Sequence, residues 1–274
     1  MARILILSSF VAASRVGGGA QSLALARLGL EPVLVPTVLM GRHPGHGAPG
    51  GGPVTPETFA AMLGGIEAQG LFSEIDAVIT GHFSMPEQVA VAADAVLRVK
   101  GAAPGARVVV DPVMGDADKG LYVREAVAEA IASALVPLAD VVAPNAWELS
   151  RLTGRPVDDP AGAVAAARAL GRPTLVSSIR AGGDIGVVYT QADQAWIARH
   201  PPAPSAPKGT GDLLTALFVA GLLRSGNAVD ALAAATAATA EAVRLAGGAD
   251  ELPLAALPTA LPASANVALE PLDG

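Results

Sequence analysis

Six short apolar runs, each closed by polar residues, limit what this chain can fold into. They are Ile4-Leu5-Ile6-Leu7, Val33-Leu34-Val35, Ala77-Val78-Ile79-Thr80, Val108-Val109-Val110, Val141-Val142-Ala143 and Thr174-Leu175-Val176. Such continuous runs are expected of strands covered on both faces. Helical stretches separate them, predicted over 21–28, 55–69, 86–100, 124–135 and 160–170. Thr55-Pro56-Glu57 is a helix start, with an N-cap, a proline at the first position and an acid next. Residues 186–190 and 195–198 read as a hairpin, and the last third as two helices, 210–223 and 229–245. Strand–helix alternation predicts an α/β fold, a doubly wound, mostly parallel central sheet flanked by helices. The 274 residues show no internal repeat and no linker, so they read as one domain, 1–274.

In such sheets ligands bind beyond the carboxyl ends of the strands. Here those ends carry Ser8-Ser9, Gly81-His82, the stretch Asp111 to Asp116, Asn145 to Glu148, and Ser177-Ser178. Polar chemistry therefore gathers on one edge. Composition narrows what it can be. The absence of Cys excludes a disulfide framework, a thiolate metal site and a cysteine nucleophile. A formal charge of −7 without a basic cluster argues against nucleic acid and anionic membranes as partners. No apolar run is long enough to span a bilayer. Residues 3–13 resemble a short secretory signal, but the strand–loop–helix unit they open needs that strand for its core. The expectation is a cytoplasmic protein.

Gly209-Thr210-Gly211-Asp212 heads an apolar run from Leu213 to Leu223 that reads as a buried helix. The glycines admit a tight turn, and the helix start offers unpaired N–H groups to an anion. Asp212 falls in the first turn, beside that anion. It can accept a proton from an attacking hydroxyl, or merely complement the helix dipole. Asp111 and Asp116 close a buried strand and could meet Mg²⁺, although Asp, Pro and Gly also make turns. Asn145 and Glu148 fit a capping box, which explains them structurally; Glu148 could equally join the metal-side acids. Residues 41–53, with six glycines, should be irregular, either disordered or a functional flap. His43, His46 and His82 lack metal-ligand spacing. Neither a dinucleotide fingerprint nor a P-loop occurs.

These residues together resemble the ribokinase-like superfamily, and within it the pyridoxal kinases. Gly209 to Asp212 carries the C-terminal signature. Ser9, Thr37-Val38, His43, Asp111 to Gly115, Lys119 to Val123 and Ala143 to Glu148 precede it along the chain, in the family's order. The resemblance implies ATP-dependent phosphorylation of the 5′-hydroxyl of pyridoxal, with Mg²⁺, an activating K⁺ in many members, and a homodimer. It implies that Asp212 is the base and that Gly209, Thr210 and Gly211 form the anion hole. Substrate contacts fall to Ser9, Thr37, His43, Pro44 and His82. Nucleotide contacts fall to Asp111, Tyr122, Ala143, Glu148, Ser177, Ser178, Lys208 and Thr210. Metal-side acids are Asp111, Asp116 and Glu148. Three positions depart from the family: Pro44 replaces a frequent Thr, Phe10 a His, and His82 a Tyr. The alternatives are a hydroxymethylpyrimidine kinase, often marked by a Cys this chain lacks, another small-molecule kinase of the fold, or an inactive ligand-binding relative.

Overall fold

In a computed structural model, which describes residues 1–261 and 267–272, the apolar runs form one ten-stranded sheet. The first half of the chain contains β1 (Arg3–Val11), α1 (Gly17–Arg27), β2 (Glu31–Met40), β3 (Gly51–Pro53), α2 (Pro56–Ala68), β4 (Ile75–Thr80), α3 (Pro86–Ala102) and β5 (Arg107–Val110). A two-stranded hairpin follows, β6 (Gly115–Asp116) and β7 (Gly120–Leu121), then α4 (Glu125–Ala130), β8 (Val141–Val142), α5 (Ala146–Thr153) and α6 (Pro160–Leu170). The remainder holds β9 (Thr174–Ala181), β10 (Asp184–Gln191), β11 (Gln194–His200), α7 (Thr210–Ser225), α8 (Ala228–Ala246) and β12 (Ala268–Pro271).

The sheet order is β12-β11-β10-β9-β8-β5-β4-β1-β2-β3. From β9 to β2 the pairings are parallel; β10, β11, β12 and β3 add antiparallel edges. The chain runs outward from β1 to β2 and later returns to the other side of β1 with β4. The strand order reverses there, which opens a crevice at the carboxyl ends of β1 and β4. Helices α1, α7 and α8 bury one face against Ile4, Ile6, Ile79 and Val109. Helices α2, α3 and α4 cover the other, over Leu5, Leu7, Val78 and Val108. Among the described residues no helix is long and apolar enough to cross a membrane.

Three local expectations change. The first helix begins at Gly17 rather than at 21, so the glycine triplet is its first turn. Residues 41–53 are not wholly irregular: Pro44–His46 form a 3-10 turn, and β3 pairs with β2, Leu39 opposite Gly52. The helix predicted over 124–135 passes after Ala130 into a π-helical turn, Ile131–Leu135. The segment after α8, to which the sequence assigns no element, buries Leu252, Leu254 and Leu257, then adds β12 to β11; residues 262–266 lie outside the described residues.

Candidate active site

Helix α7 starts without a side-chain cap. Its N-cap is Gly209, at φ +85°, and a Cβ there would collide with the Arg15 carbonyl oxygen. Only glycine tolerates both the angle and the contact. The first intrahelical bond is Leu213 N–H to the Gly209 carbonyl, 2.9 Å, so the N–H groups of residues 210–212 have no acceptor in their own helix. Thr210 and Asp212 are half-buried and Gly211 is exposed at this mouth.

Asp212 does not fold back to cap α7. Its Oδ2 accepts the Gly17 N–H, 2.8 Å away, at the start of α1. Two helix N-termini thus converge on one carboxylate. Burial pushes its pKa up to about 6, with the Gly17 bond opposing. Desolvation thus outweighs the Gly17 bond at this carboxylate. Gly17 (φ +59°) is wedged between Asp212 and Ser9, because a Cβ at 17 would strike Ser9 Oγ. Ser9 is buried, and only Gly17 separates it from the support of Asp212.

The crevice wall comes from β2 and the residues after β4. Thr37 is fully buried, and its hydroxyl donates to the His82 carbonyl oxygen (2.6 Å), so it shapes the wall rather than facing a ligand. The His82 N–H bonds Ser8 Oγ (3.3 Å) and its Nε2 lies 3.2 Å from Ser84 Oγ. Burial lowers its pKa to about 4, leaving a neutral ring. His43 caps the flap turn, its Nδ1 accepting the Gly45 N–H at 3.0 Å. Its pKa is lowered by burial and then by Lys208 and Lys119. Pro44 is the exposed first residue of that turn. The Lys208 ammonium packs against Gly45, leaving no room for a Cβ there, so flap and α7 entry meet.

On the other side lies the loop after β5. Asp111 is buried and its Oδ2 accepts from Thr215 Oγ1 of α7, 2.8 Å. Its pKa is raised by burial and by the Glu148 and Asp212 charges. Val113, at φ +43°, carries strain that a β-branched residue seldom accepts. The strain turns the following N–H groups onto Glu148: Met114 at 2.7 Å and Gly115 at 3.3 Å reach Oε1. Glu148 Oε2 takes the Asn145 N–H (2.9 Å), while Asn145 Oδ1 takes the Glu148 N–H, completing the capping box. Burial pushes Glu148 up to about 7 against those bonds.

The expected metal-side acids, Asp111, Asp116 and Glu148, do not form a preassembled ligand cluster, although Glu148 lies near enough to influence Asp111 and to be influenced by Asp116. Among the described residues no three Asp, Glu or His side chains gather as a metal-holding group. Glu148 is saturated by backbone donors, and Asp116 Oδ1 holds the turn N–H groups of Asp118 (3.1 Å) and Lys119 (2.8 Å). Tyr122 is half-exposed, and burial of its hydroxyl together with nearby Glu148 and Asp111 raises its pKa. Ala143 is buried, bonded through its N–H to Val110, and Ser177 bonds Pro144 and bridges to Asn145. Ser178 is exposed at φ +64°, a turned position in β9.

Sequence reasoning missed Gly17, Arg15 and Thr215. Glycines opening a helix gave no hint that close approach was their reason. Thr215 had a visible signal, as the one hydroxyl in the run from Leu213 to Leu223.

Comparison with known proteins agrees with this geometry. The phosphomethylpyrimidine kinase family matches residues 53–254. Pyridoxal kinase PdxY of Deinococcus radiodurans is 39% identical over 243 residues, 84% of this chain and 82% of the relative. A pyridoxine/pyridoxal/pyridoxamine kinase of Bordetella avium is 35% identical over 274 residues, 96% of this chain and 91% of its own. The structure of pyridoxal kinase from Leishmania donovani in complex with ADP and pyridoxamine superposes with a TM-score of 0.92 at 26% identity, covering 99% of this chain and 100% of that one.

Proposed function

The chain belongs to the phosphomethylpyrimidine kinase family, and from that premise we propose that it transfers the γ-phosphoryl group of ATP to the 5′-hydroxyl of pyridoxal. The product is pyridoxal 5′-phosphate, and the role is vitamin B6 salvage. The observation that carries the reading is Asp212: a half-buried carboxylate, held by Gly17, beside the uncapped start of α7. With its pKa near 6 the group is largely ionised at pH 7 yet basic enough to take a hydroxyl proton as phosphorus–oxygen bonding develops. The open N–H groups of residues 210–212 take the charge on the transferred phosphoryl. Ser9 orients the pyridine ring, with His82 and the His43–Pro44 turn around it. Lys208, Asp111, Tyr122, Ala143, Ser177 and Ser178 line the nucleotide side.

Mg²⁺ fits this site as an ion carried in with the nucleotide. Asp111, Glu148 and Asp212 are close enough for Asp111 to feel the other two charges, and no Lys or Arg pairs with any of them among the described residues. Asp111 would hold it through water, Asp116 and Glu148 adding negative charge only, while phosphates complete its shell. Bound there, the ion neutralises charge on the phosphates. An activating K⁺, a single kinase domain over 1–274, a cytoplasmic location and a homodimer belong to the same reading. For the dimer, Phe10 and Leu39 stand exposed and paired in register on β1 and β2.

The deciding experiment offers ATP with pyridoxal, hydroxymethylpyrimidine or ribose and identifies the phosphorylated product. Pyridoxal 5′-phosphate is expected. Phosphorylation of the pyrimidine alone would make the chain a hydroxymethylpyrimidine kinase, and binding without turnover an inactive relative.

A further inference from the structure

Asp111 and Asp212 lie on different elements, one at the end of β5 and one in the first turn of α7. A single hydroxyl joins their supports. Thr215 lies three residues beyond Asp212, on the same side of the helix, and side chains of a helix lean back toward its start. Its Oγ1 reaches across to Asp111 Oδ2 at 2.8 Å, spanning 104 residues of sequence. Both partners are buried, Thr215 at 2% exposure and Asp111 at 7%. A mid-helix threonine commonly returns its hydroxyl to the carbonyl one turn back. This one donates outward instead, so the helix does not explain it. The neighbouring residues Leu213, Leu214, Ala216 and Leu217 are apolar and buried. Without the hydroxyl, the carboxylate of Asp111 would face hydrocarbon on that side.

We propose that Thr215 is a positioning residue for the nucleotide side of the site: its hydroxyl fixes the orientation in which Asp111 meets the triphosphate and its metal. The inference rests on the kinase reading and adds a residue to it. Threonine suits the task because branching at Cβ leaves few rotamers in a helix. Fixing Asp111 from α7 also sets the acid relative to the base, since both are referred to one helix.

The test compares Thr215→Val, which keeps the shape and removes the donor, with Thr215→Ser, which keeps the donor. ADP affinity is measured by calorimetry with and without Mg²⁺, alongside KM for ATP, KM for pyridoxal, kcat and thermal stability. Thr215→Val should weaken Mg²⁺–ADP binding and raise KM for ATP by roughly tenfold or more, the scale of a hydrogen bond to a charged group. KM for pyridoxal should stay within about twofold, and Thr215→Ser should restore nucleotide affinity to a similar margin. In an Asp111→Asn background the valine change should lose most of its effect, because the oriented carboxylate is gone. Equal losses in the valine and serine variants would overturn the inference, as would a valine variant that melts earlier but binds nucleotide normally. Should the valine variant fail to fold, the serine variant decides: normal nucleotide affinity supports the inference and a tenfold loss overturns it. A wild-type protein that binds no nucleotide would overturn the kinase reading as well; normal wild-type binding beside an unaffected valine variant overturns this inference alone.

Discussion

Helices α5 and α7 begin alike and end up in opposite employment. Each has an acid at the third helical position, Glu148 after Asn145 and Asp212 after Gly209. Each acid is pushed up by burial, to about 7 and about 6. In α5 the acid closes the capping box and ties down the strained loop at Val113, so both oxygens face backbone donors. In α7 the N-cap has no side chain, and the acid leaves its own helix for Gly17. A helix start that completes itself is structural. A start left open, with its acid braced from another helix, has N–H groups and a carboxylate free for chemistry.

The strongest way to break this contrast is Asp212→Asn. It should lower kcat by ~10²–10⁴-fold, the usual contribution of a general base, while ATP still binds. A variant within a few-fold of wild type would make the two acids equivalent and remove the base from the mechanism. The counterpart is Glu148→Ala. It orphans buried N–H groups and destroys a cap, so stability should fall by about 2–4 kcal/mol. Denaturant titration measures this, and turnover per folded molecule should drop less than in Asp212→Asn. An unchanged denaturation midpoint would refute the structural role of Glu148.

The pH dependence sharpens the same comparison. Below pH 6 the base is protonated, so kcat/KM should fall about tenfold per unit and level off above pH 7. Stability runs the other way. Folded Asp212 titrates near 6 and the unfolded carboxyl near 3.9, so the folded chain holds the extra proton between those values. That advantage is lost as pH rises through 6. Asp212→Asn should therefore be more stable than wild type at pH 8, by on the order of 1 kcal/mol, and the difference should vanish toward pH 4. Equal melting of the two proteins at pH 8 would show that burial does not burden this carboxylate. The smallest effect is expected at Ser9, which shares Gly17 with Asp212. Ser9→Ala loses a neutral hydrogen bond worth about 0.5–1.5 kcal/mol, which should appear in KM for pyridoxal. A collapse of kcat at unchanged KM would place Ser9 with the base instead.

The sequence made the sheet legible because its strands are short β-branched runs whose meaning does not depend on neighbours. Val108 to Val110 reads as buried strand in any register. The capping box at Asn145 was equally local. What stayed hidden depended on partners far along the chain. Gly17 to Gly19 suggest a loop by helix propensity. They open a helix, and glycine stands at 17 and 18 because close approach to Ser9 and Leu34 leaves no room for Cβ atoms there. Strand β3 exists because β2 offers it an edge, and β12 because β11 does. The surroundings of the acids were hidden for the same reason: the sequence shows Asp111, Asp116 and Glu148 but not the backbone donors that occupy Glu148.

The bond between Gly17 and Asp212 joins residues 195 apart in the chain. During synthesis, the segments of β1 and α1, which carry Ser9 and Gly17, emerge before α7. The base, the anion hole and the hydroxyl that holds Asp111 follow only after some two hundred further residues. Pairings this distant carry the largest loop-closure entropy and form late. The catalytic geometry is therefore among the last things the folding chain completes, and a fragment ending before α7 would lack both the base and the helices that cover the Ile4, Ile6 and Ile79 face of the sheet.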